Sequence, residues 1–332
     1  MRRPRRTAEV SVDFSRVGLA VGHATDAAGA TGCTVVRGID APLRGAAAVF
    51  GRATGSRELH ALSPDALADR VDAVLLTGGS AYGLDAAAGV MRWMEERNRG
   101  FPIAGGVVPI VPAAVIFDLG PIGRFGARPT PEMAYQAAES ATSVHVLEGS
   151  VGAGTGATVG KAAGAARAMK GGVGCAERGS AGVWVAAVAV VNAFGDVRDA
   201  AGHVIAGARA DGGGFLDAAR LLVHEPHRLA ALAAEQAMRN TTLCVVATNA
   251  VLDRVQLAQL ARAAGAGLFR RIVPAGSSFD GDVVFALCGR DGVSANALHV
   301  EALAAAALED AIERGVRLAE GRPGFPGLAD SA

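Results

Sequence analysis

Residues 240–250 read NTTLCVVATNA and mark a change from a predicted helix to a predicted strand. A predicted helix over residues 228–239 ends directly before Asn240, and the apolar run that follows Thr242 predicts a strand over 243–247. Asparagine often ends helices and threonine often begins strands, so these residues alone are compatible with a purely structural junction. The junction places a hydroxyl residue, preceded by Asn, at the head of a predicted strand.

Outward from this segment, short β-type runs alternate with helical runs. The pattern predicts further strands over 17–21, 34–36, 73–76, 183–192 and 283–287, and further helices over 80–98 (with Ser80 as N-cap), 131–141, 215–223, 252–264 and 302–314. Gly195 and Asp196, which follow the 183–192 strand, suggest a hairpin with a strand that begins at Val197. Helices sufficient to cover both faces of the sheets indicate a layered α/β architecture.

The domain organisation is simple, because no stretch reads as a linker long enough to separate two domains. Residues 1–16 read as a charged flexible arm, and residues 321–332 contain enough Pro and Gly to form a loose tail. The 45 glycines are scattered without a period, which excludes collagen and repeat arrays. We therefore expect a single domain over residues 17–320.

Composition excludes several classes of protein. Apolar residues make up 51% of the chain, and 32 Lys+Arg balance 32 Asp+Glu, so the chain is predicted to fold and carries no net charge that would attract nucleic acid. The longest apolar stretches, such as 183–191, fall short of the roughly 20 residues of a membrane span. Charged residues follow the arginine-rich start, which does not resemble a signal peptide, and the expected location is the cytoplasm. The four cysteines are far apart and are predicted to be reduced core residues.

Four further motifs accompany NTTLCVVATNA: ATGCTVV around Cys33, LLTGGSAYGLDAAAGV from Leu75, VPAAVIFDL from Val111 and VGAGTGATVGKA from Val151. Together they resemble the L-aminopeptidase/D-esterase family of self-processing peptidases, which includes β-peptidyl aminopeptidases and nylon-oligomer hydrolases. The resemblance covers about residues 16–317. It implies an αββα sandwich similar to the N-terminal-nucleophile hydrolases, with the family's own connectivity.

The resemblance also implies a chemistry. Such a precursor cleaves its own backbone before a Ser or Thr, and the freed α-amine then serves as the base for the hydroxyl of the same residue. An α-amine has a pKa of about 8, far closer to neutrality than a lysine near about 10.4. By this resemblance the cut falls between Asn240 and Thr241 within the catalytic domain, leaving residues 1–240 and 241–332, and Thr241 rather than Thr242 is the nucleophile.

Matching positions provide partners for Thr241. The Lys161 ammonium would stabilise the alkoxide, and the side chains of Asn192 and Tyr82 would stabilise the oxyanion of the tetrahedral intermediate. Each has a structural alternative: a solvated lysine, a turn residue and a core aromatic. The stretch before Lys161 also resembles a phosphate loop, but Thr155 stands where that motif requires its first Gly. Lys170, the only other lysine, lies outside the motifs and is expected to be solvated.

Asp280 and Asp282 precede a predicted strand. Residues two apart in an extended segment point to the same face, so both carboxylates could meet one cation. In related Thr enzymes, this pair holds the new α-ammonium and the nucleophile in place. A calcium loop is an alternative, but it would need further oxygen ligands. The hydroxyl of Ser277 or Ser278 could join this network, and spacing does not choose between them.

The resemblance therefore predicts an aminopeptidase-type hydrolase of short peptides or related amides that needs no cofactor and no metal. The family tends to form homo-oligomers of αβ pairs, which we adopt as an expectation. Two alternatives remain from the sequence: an acyltransferase similar to the ornithine acetyltransferases, and a non-catalytic small-molecule binder on the same scaffold.

Overall fold

The computed structural model describes residues 12–225 and 240–331. The predicted helix over 228–239 and the first eleven residues of the predicted arm lie outside these ranges. The arm was expected to extend to residue 16, but a short 3₁₀ turn over Phe14–Val17 buries Phe14 and Val17 against the core. Burial of these two apolar side chains explains why the segment is folded rather than a flexible arm.

Two five-stranded sheets form the centre of the molecule. In chain order the strands are β1 (Leu19–Asp26), β2 (Thr31–Gly38), β3 (Arg44–Val49), β4 (Ser56–Arg57), β5 (Ala73–Thr77), β6 (Phe101–Ile103), β7 (Gly106–Val108), β8 (Ala113–Val115), β9 (Thr158–Val159), β10 (Met169–Lys170), β11 (Gly172–Ser180), β12 (Val183–Asn192), β13 (Asp196–Arg198), β14 (Val204–Ala206), β15 (Thr241–Ala250), β16 (Ile272–Val273) and β17 (Val283–Val293). The first sheet has the order β1-β2-β5-β8-β4 and the second β11-β12-β15-β17-β3. Strand β15 is therefore central in the second sheet, antiparallel to β12 and parallel to β17.

Five α-helices lie in the described residues: α1 (Ala87–Glu95), α2 (Pro131–Glu139), α3 (Ala218–His224), α4 (Arg254–Arg271) and α5 (Ala297–Arg317). Helices α1 and α2 cover the outer face of the first sheet, with Trp93 and Met94 in that interface. Helices α4 and α5 cover the outer face of the second sheet through residues such as Leu260 and Leu308. The result is the predicted αββα sandwich.

The core between the sheets forms because successive side chains of β15 point to opposite faces of its sheet. Leu243 and Val245 of β15 pack with Val188 and Val190 of β12 and with Val36 of the first sheet. The intervening residues of β15 face α4 and α5 instead. A fully buried Leu or Val contributes about 1.5–3 kcal/mol. This alternation places the odd-numbered residues of β15 on the inter-sheet face.

One predicted pairing was wrong. Strand β12 has the predicted bounds, but its hairpin partner is β11, through Ala181 and Gly182, rather than a strand at Val197. Strand β13 instead pairs with β14 and β16 in a separate small sheet. The Asp196 carboxylate accepts the backbone N–H groups of Ala208 and Ala218, and these contacts hold β13 away from β12.

Two further expectations differ from the structure. Ser80 does not cap a continuous helix, because its φ is +52° and residues Ser80–Ala86 form a 3₁₀ segment before α1 begins. The tail predicted to be loose packs against the domain: Arg322 and Phe325 form an antiparallel bridge, and Pro326 accepts the backbone N–H of Lys170. In the described ranges, no helix has both the length and the apolar character needed to cross a bilayer.

Candidate active site

Thr241 is the first residue of β15 and is 4% exposed. Its position in the alternation directs the side chain to the inter-sheet face, and its neighbour across the antiparallel ladder is Asn192. The hydroxyl donates a hydrogen bond to the carbonyl oxygen of Asn240 at 2.6 Å. The structure thus places a buried hydroxyl directly after the peptide bond that the sequence predicts to be cut.

Asn192 and Lys161 form a buried pair beside Thr241. The Lys161 ammonium donates to both the backbone oxygen (3.1 Å) and Oδ1 (3.0 Å) of Asn192, and the Thr158 N–H also donates to Oδ1 (3.0 Å). Two donors on Oδ1 assign the orientation of the amide and put Nδ2 on its other end. The predicted site residues Lys161 and Asn192 are therefore brought together with Thr241, and neither is a solvated side chain.

Gly160 explains how the chain delivers Lys161 to this place. Its φ is +71°, a backbone conformation that favours glycine, and a Cβ there would lie 2.1 Å from the carbonyl carbon of Gly207. The turn between β9 and Lys161 can approach its neighbour this closely only without a side chain. The glycine at position 160 therefore helps to build the site, because it lets the backbone pass close to Gly207.

Asp280 is buried against Ser277 and the Lys161 charge. Its Oδ2 accepts the backbone N–H (2.9 Å) and the hydroxyl (2.6 Å) of Ser277, which decides between the two serines that the sequence left open. Burial raises the pKa of Asp280, against the opposing effects of the Ser277 hydrogen bonds and the Lys161 ammonium. This carboxyl group is therefore held close to the cation of the site.

Asp282 fixes the backbone immediately after Thr241. Its Oδ1 accepts the N–H of Thr242 at 2.6 Å, and Oδ2 accepts the N–H of Gly276 at 3.0 Å. Burial and the nearby Asp280 charge raise the pKa of Asp282 to about 7. The two carboxylates flank the Thr241 backbone but have different hydrogen-bond partners, rather than sharing one cation as the spacing suggested.

Tyr82 lies in the 3₁₀ segment Ser80–Ala86, which precedes α1. It is 53% exposed, its ring stacks edge-on with Phe125, and the Arg128 guanidinium lies 3.4 Å from the ring centroid. It also lines an open cleft of about 400 Å³ together with Asp85 and Pro129. The oxyanion role that the resemblance gives Tyr82 therefore stays a prediction.

Lys170 is buried, contrary to the prediction from the sequence. It is 1% exposed, not solvated, and its ammonium donates to the carbonyl oxygens of Gly154 (2.7 Å) and Gly171 (2.6 Å). Burial, assisted by Arg322 and opposed by Asp118, lowers its pKa to about 7. Lys170 is paired with Thr158 in the small ribbon of β9 and β10, so it anchors the segment that leads to Lys161. The one available signal was that only two lysines occur in the chain.

The space next to the site is small. Phe117, Pro121 and Ala168 line a cleft over Lys161 of about 10 Å³, roughly the room of one water molecule. A wider cleft of about 330 Å³ lies between β11 and α5 and is lined largely by charged side chains such as Arg178 and Glu313. Of the residues around Thr241, Lys161 and Thr158 line the smaller cleft.

In the described ranges, no group of His, Cys, Asp or Glu side chains has an arrangement that could hold a metal ion. All four cysteines are buried and free, as predicted. A hydroxyl lies beside an ammonium, an amide and two carboxyl groups, which suits nucleophilic attack on a carbonyl carbon and stabilisation of the resulting oxyanion.

A known family and several known proteins resemble this chain over most of its length. The model of peptidase family S58 matches residues 16–327. An uncharacterized aminopeptidase of Mycobacterium leprae is 45% identical over 258 residues, covering 73% of this chain and 67% of that protein. A 6-aminohexanoate-oligomer endohydrolase of Kocuria sp. is 30% identical over 328 residues, covering 93% and 86%.

Solved structures share the fold. The L-aminopeptidase D-Ala-esterase/amidase of Ochrobactrum anthropi, described as a variant of the Ntn-hydrolase fold, aligns with a TM-score of 0.70 at 20% identity, covering 95% of this chain and 90% of that one. A β-aminopeptidase of Burkholderia sp. gives a TM-score of 0.69 with coverage of 95% and 89%. The predicted fold is thereby confirmed, and the relatives support an amide-bond hydrolase. The chain belongs to peptidase family S58.

Proposed function

We propose that this chain cleaves its own backbone between Asn240 and Thr241 and then hydrolyses short amide substrates with Thr241 as an N-terminal nucleophile. The proposal rests on the surroundings of Thr241. The Thr241 hydroxyl lies buried at the head of a central strand, opposite the Asn192–Lys161 pair and between two buried carboxyl groups. This cluster combines a candidate nucleophile with candidate groups for stabilising charge.

In the proposed turnover, the Thr241 hydroxyl attacks the substrate carbonyl and its own α-amine takes the hydroxyl proton. The amide of Asn192 stabilises the oxyanion, because its Oδ1 is engaged by Lys161 and Thr158 and its N–H end is turned away from them. The protonated amine then gives its proton to the leaving amine. Water hydrolyses the acyl ester and regenerates the hydroxyl.

Asp280 and Asp282 give the new terminus its position. Asp282 already binds the N–H of Thr242, and Asn240 forms a parallel bridge with Asp280. After cleavage, the amine at Thr241 would lie between these carboxyl groups, close to the Lys161 charge. Such surroundings hold an amine in one orientation, and Lys161 opposes an excessive rise of its pKa.

The proposed substrates are short peptides and linear amide oligomers. The relatives' names, aminopeptidase and 6-aminohexanoate-oligomer endohydrolase, both describe enzymes that act on amide-linked chains of amino acids.

The test uses the purified full chain with a panel of amino-acid p-nitroanilides, short peptides and 6-aminohexanoate oligomers, with release of amine as the readout. We expect turnover by the natural chain, loss of at least about 100-fold in Thr241→Ala, and partial activity in Thr241→Ser. Thr242→Ala is the matched control, since it removes the neighbouring hydroxyl and keeps the backbone N–H that Asp282 binds. Equal turnover by Thr241→Ala, or transfer of the acyl group to an added amine in preference to water, would refute the proposed reaction.

A further inference from the structure

The carbonyl group of Asn240 has a donor on each of two sides. Its oxygen accepts the Thr241 hydroxyl at 2.6 Å and the backbone N–H of Gly281 at 2.9 Å. The second hydrogen bond belongs to the parallel bridge between Asn240 and Asp280, which extends the β15–β17 ladder by one step. This is the carbonyl of the peptide bond that the proposed function cuts.

The two neighbouring strands place different groups on the two sides of this bond. Strand β15 lies between β12 and β17. Asn192 stands on the β12 side, opposite Thr241, whereas Gly281 stands on the β17 side and faces the Asn240 oxygen. When the Thr241 hydroxyl attacks, it can no longer donate to that oxygen, and the N–H of Gly281 remains in place.

We propose that the backbone N–H of Gly281 is the oxyanion donor of self-cleavage. The inference rests on the proposed cut before Thr241. In the step, Oγ1 of Thr241 forms a bond to the carbonyl carbon of Asn240, and the charge that develops on the carbonyl oxygen is held by Gly281. The C–N bond of Thr241 then breaks and the hydroxyl proton ends on the Thr241 nitrogen. Water hydrolyses the resulting ester, leaving a carboxyl group on Asn240 and a free hydroxyl on Thr241.

The donor is rigidly held before any reaction takes place, as electrostatic stabilisation requires. The strap at residues 50–53 is hydrogen-bonded to the backbone around Gly281: Phe50 N–H donates to Asp282 O (2.7 Å), and the N–H groups of Arg52 and Ala53 donate to Asp280 O (2.9 Å each). A Cβ on Gly281 would lie 2.6 Å from the Ala53 oxygen. The close fit of the strap fixes the peptide planes on both sides of the donor.

The test replaces Gly281 with glycolic acid during cell-free translation, which exchanges the N–H for an ester oxygen and adds no side chain. Glycolic acid at Gly149 is the matched control, because the N–H of Gly149 also closes an isolated bridge, donating to Val173 O at 2.7 Å. Cleavage is followed by gel over time. The thermal unfolding midpoint of each uncut form, in the Thr241→Ala background, reports on folding.

We expect the Gly281 ester to cleave at least about 100-fold more slowly than the natural chain, the scale seen when one oxyanion donor is removed. The Gly149 ester should cleave at the natural rate, and both esters should unfold at similar temperatures. Equal cleavage rates in the Gly281 ester and the natural chain would overturn the inference alone. If the natural chain does not cleave before Thr241, the proposed function fails, and the inference with it. If the Gly281 ester loses its folded transition while the Gly149 ester keeps it, the N–H has a structural role and the inference is rejected.

Discussion

Lys161 is the residue whose charge connects the parts of the site. It is 3% exposed and donates two hydrogen bonds to Asn192, while its ammonium opposes the upward shift in the pKa of Asp280. A compact ammonium suits this place because the adjoining cleft has only about 10 Å³ of space. A guanidinium would need more room and a planar set of acceptors.

We therefore expect Lys161→Met to lower kcat/KM on an amide substrate by at least about 100-fold, and Lys161→Arg to give no rescue. The measurement is steady-state hydrolysis by the two variants, with the thermal midpoint as a check on folding. Arginine activity within a few-fold of lysine would show that the cation, rather than its shape, is all that the site needs.

Ser277 illustrates what the sequence left undecided. Spacing could not choose between Ser277 and Ser278, because both lie in the same loop. The structure places only the Ser277 hydroxyl on Asp280, at 2.6 Å, while Ser278 is exposed. The choice depends on a turn that brings residue 277 back to residue 280, a feature that residue types alone do not encode.

The hydroxyl and the backbone N–H of Ser277 both hold the pKa of Asp280 down, so loss of the hydroxyl hydrogen bond in Ser277→Ala should raise that pKa. We expect the acid limb of the pH–rate profile to move to higher pH and activity near neutrality to fall. Ser278→Ala is the matched control and should leave the profile unchanged. Identical profiles for the two variants would remove Ser277 from the site.

At the scale of elements, local sequence predicted most strands and helices but missed several of their ends. Strand β12 came out with the predicted bounds because its apolar run is closed by Gly182 and Asn192. Helix α4 begins at Arg254, after an Asp253 capping box with Gln256, rather than at the predicted residue 252. The hairpin at Val197 failed because pairing is set by Asp196 and its distant partners, which no local pattern contains.

The turn at Gly160 gives a prediction for an element. In Gly160→Ala, the new Cβ would sit on a residue with positive φ and only 2.1 Å from a backbone atom of Gly207. We therefore expect the free energy of unfolding to fall by more than about 2 kcal/mol and Lys161 to be displaced. Gly18→Ala has the same left-handed conformation, with a φ of +71°, but nothing lies within 4 Å of its Cβ, so it isolates the conformational cost of about 1–2 kcal/mol. Urea unfolding and amide hydrolysis of the two variants are the measurements. Equal losses in both would show that the close approach to Gly207 is not important.

At the scale of the whole molecule, the order of elements and the family resemblance predicted the αββα layers. They did not predict which ionisable side chains would be buried. Lys170 and Asp118 are both buried, and their pKa values are shifted to about 7 and about 6, respectively, mainly by desolvation. Sequence alone does not predict this burial, because contacts between distant segments produce it: Thr31 and Gly79 donate to Asp118, and Lys170 donates to Gly154. Motifs carried Lys161, Asn192 and Thr241, which the structure places close together, whereas the role of Tyr82 stays a prediction.

Buried carboxyl groups also set the stability of the uncut chain. Burial and the Asp280 charge raise the pKa of Asp282 to about 7 in the folded chain, against about 3.9 when unfolded. The folded chain therefore holds the proton more tightly between these values, and the free energy of unfolding should fall as pH rises from about 4 to about 7. Each unit of pKa difference contributes about 1.4 kcal/mol.

Urea unfolding of Thr241→Ala at several pH values measures this slope without cleavage. Adding Asp282→Asn should flatten the slope, whereas adding Asp85→Asn, at an exposed position, should leave it as it is. An unchanged slope in the Asp282 variant would mean that the buried carboxyl does not carry the pH dependence.

Self-cleavage before Thr241 is tested by the masses of the purified, active protein under denaturing conditions, together with the N-terminal sequence of its smaller fragment. We expect two polypeptides, the smaller one beginning Thr-Thr-Leu-Cys-Val at Thr241, and a single uncut and inactive polypeptide for Thr241→Ala. Active protein that remains one polypeptide, or a fragment that begins at another residue, would contradict the account.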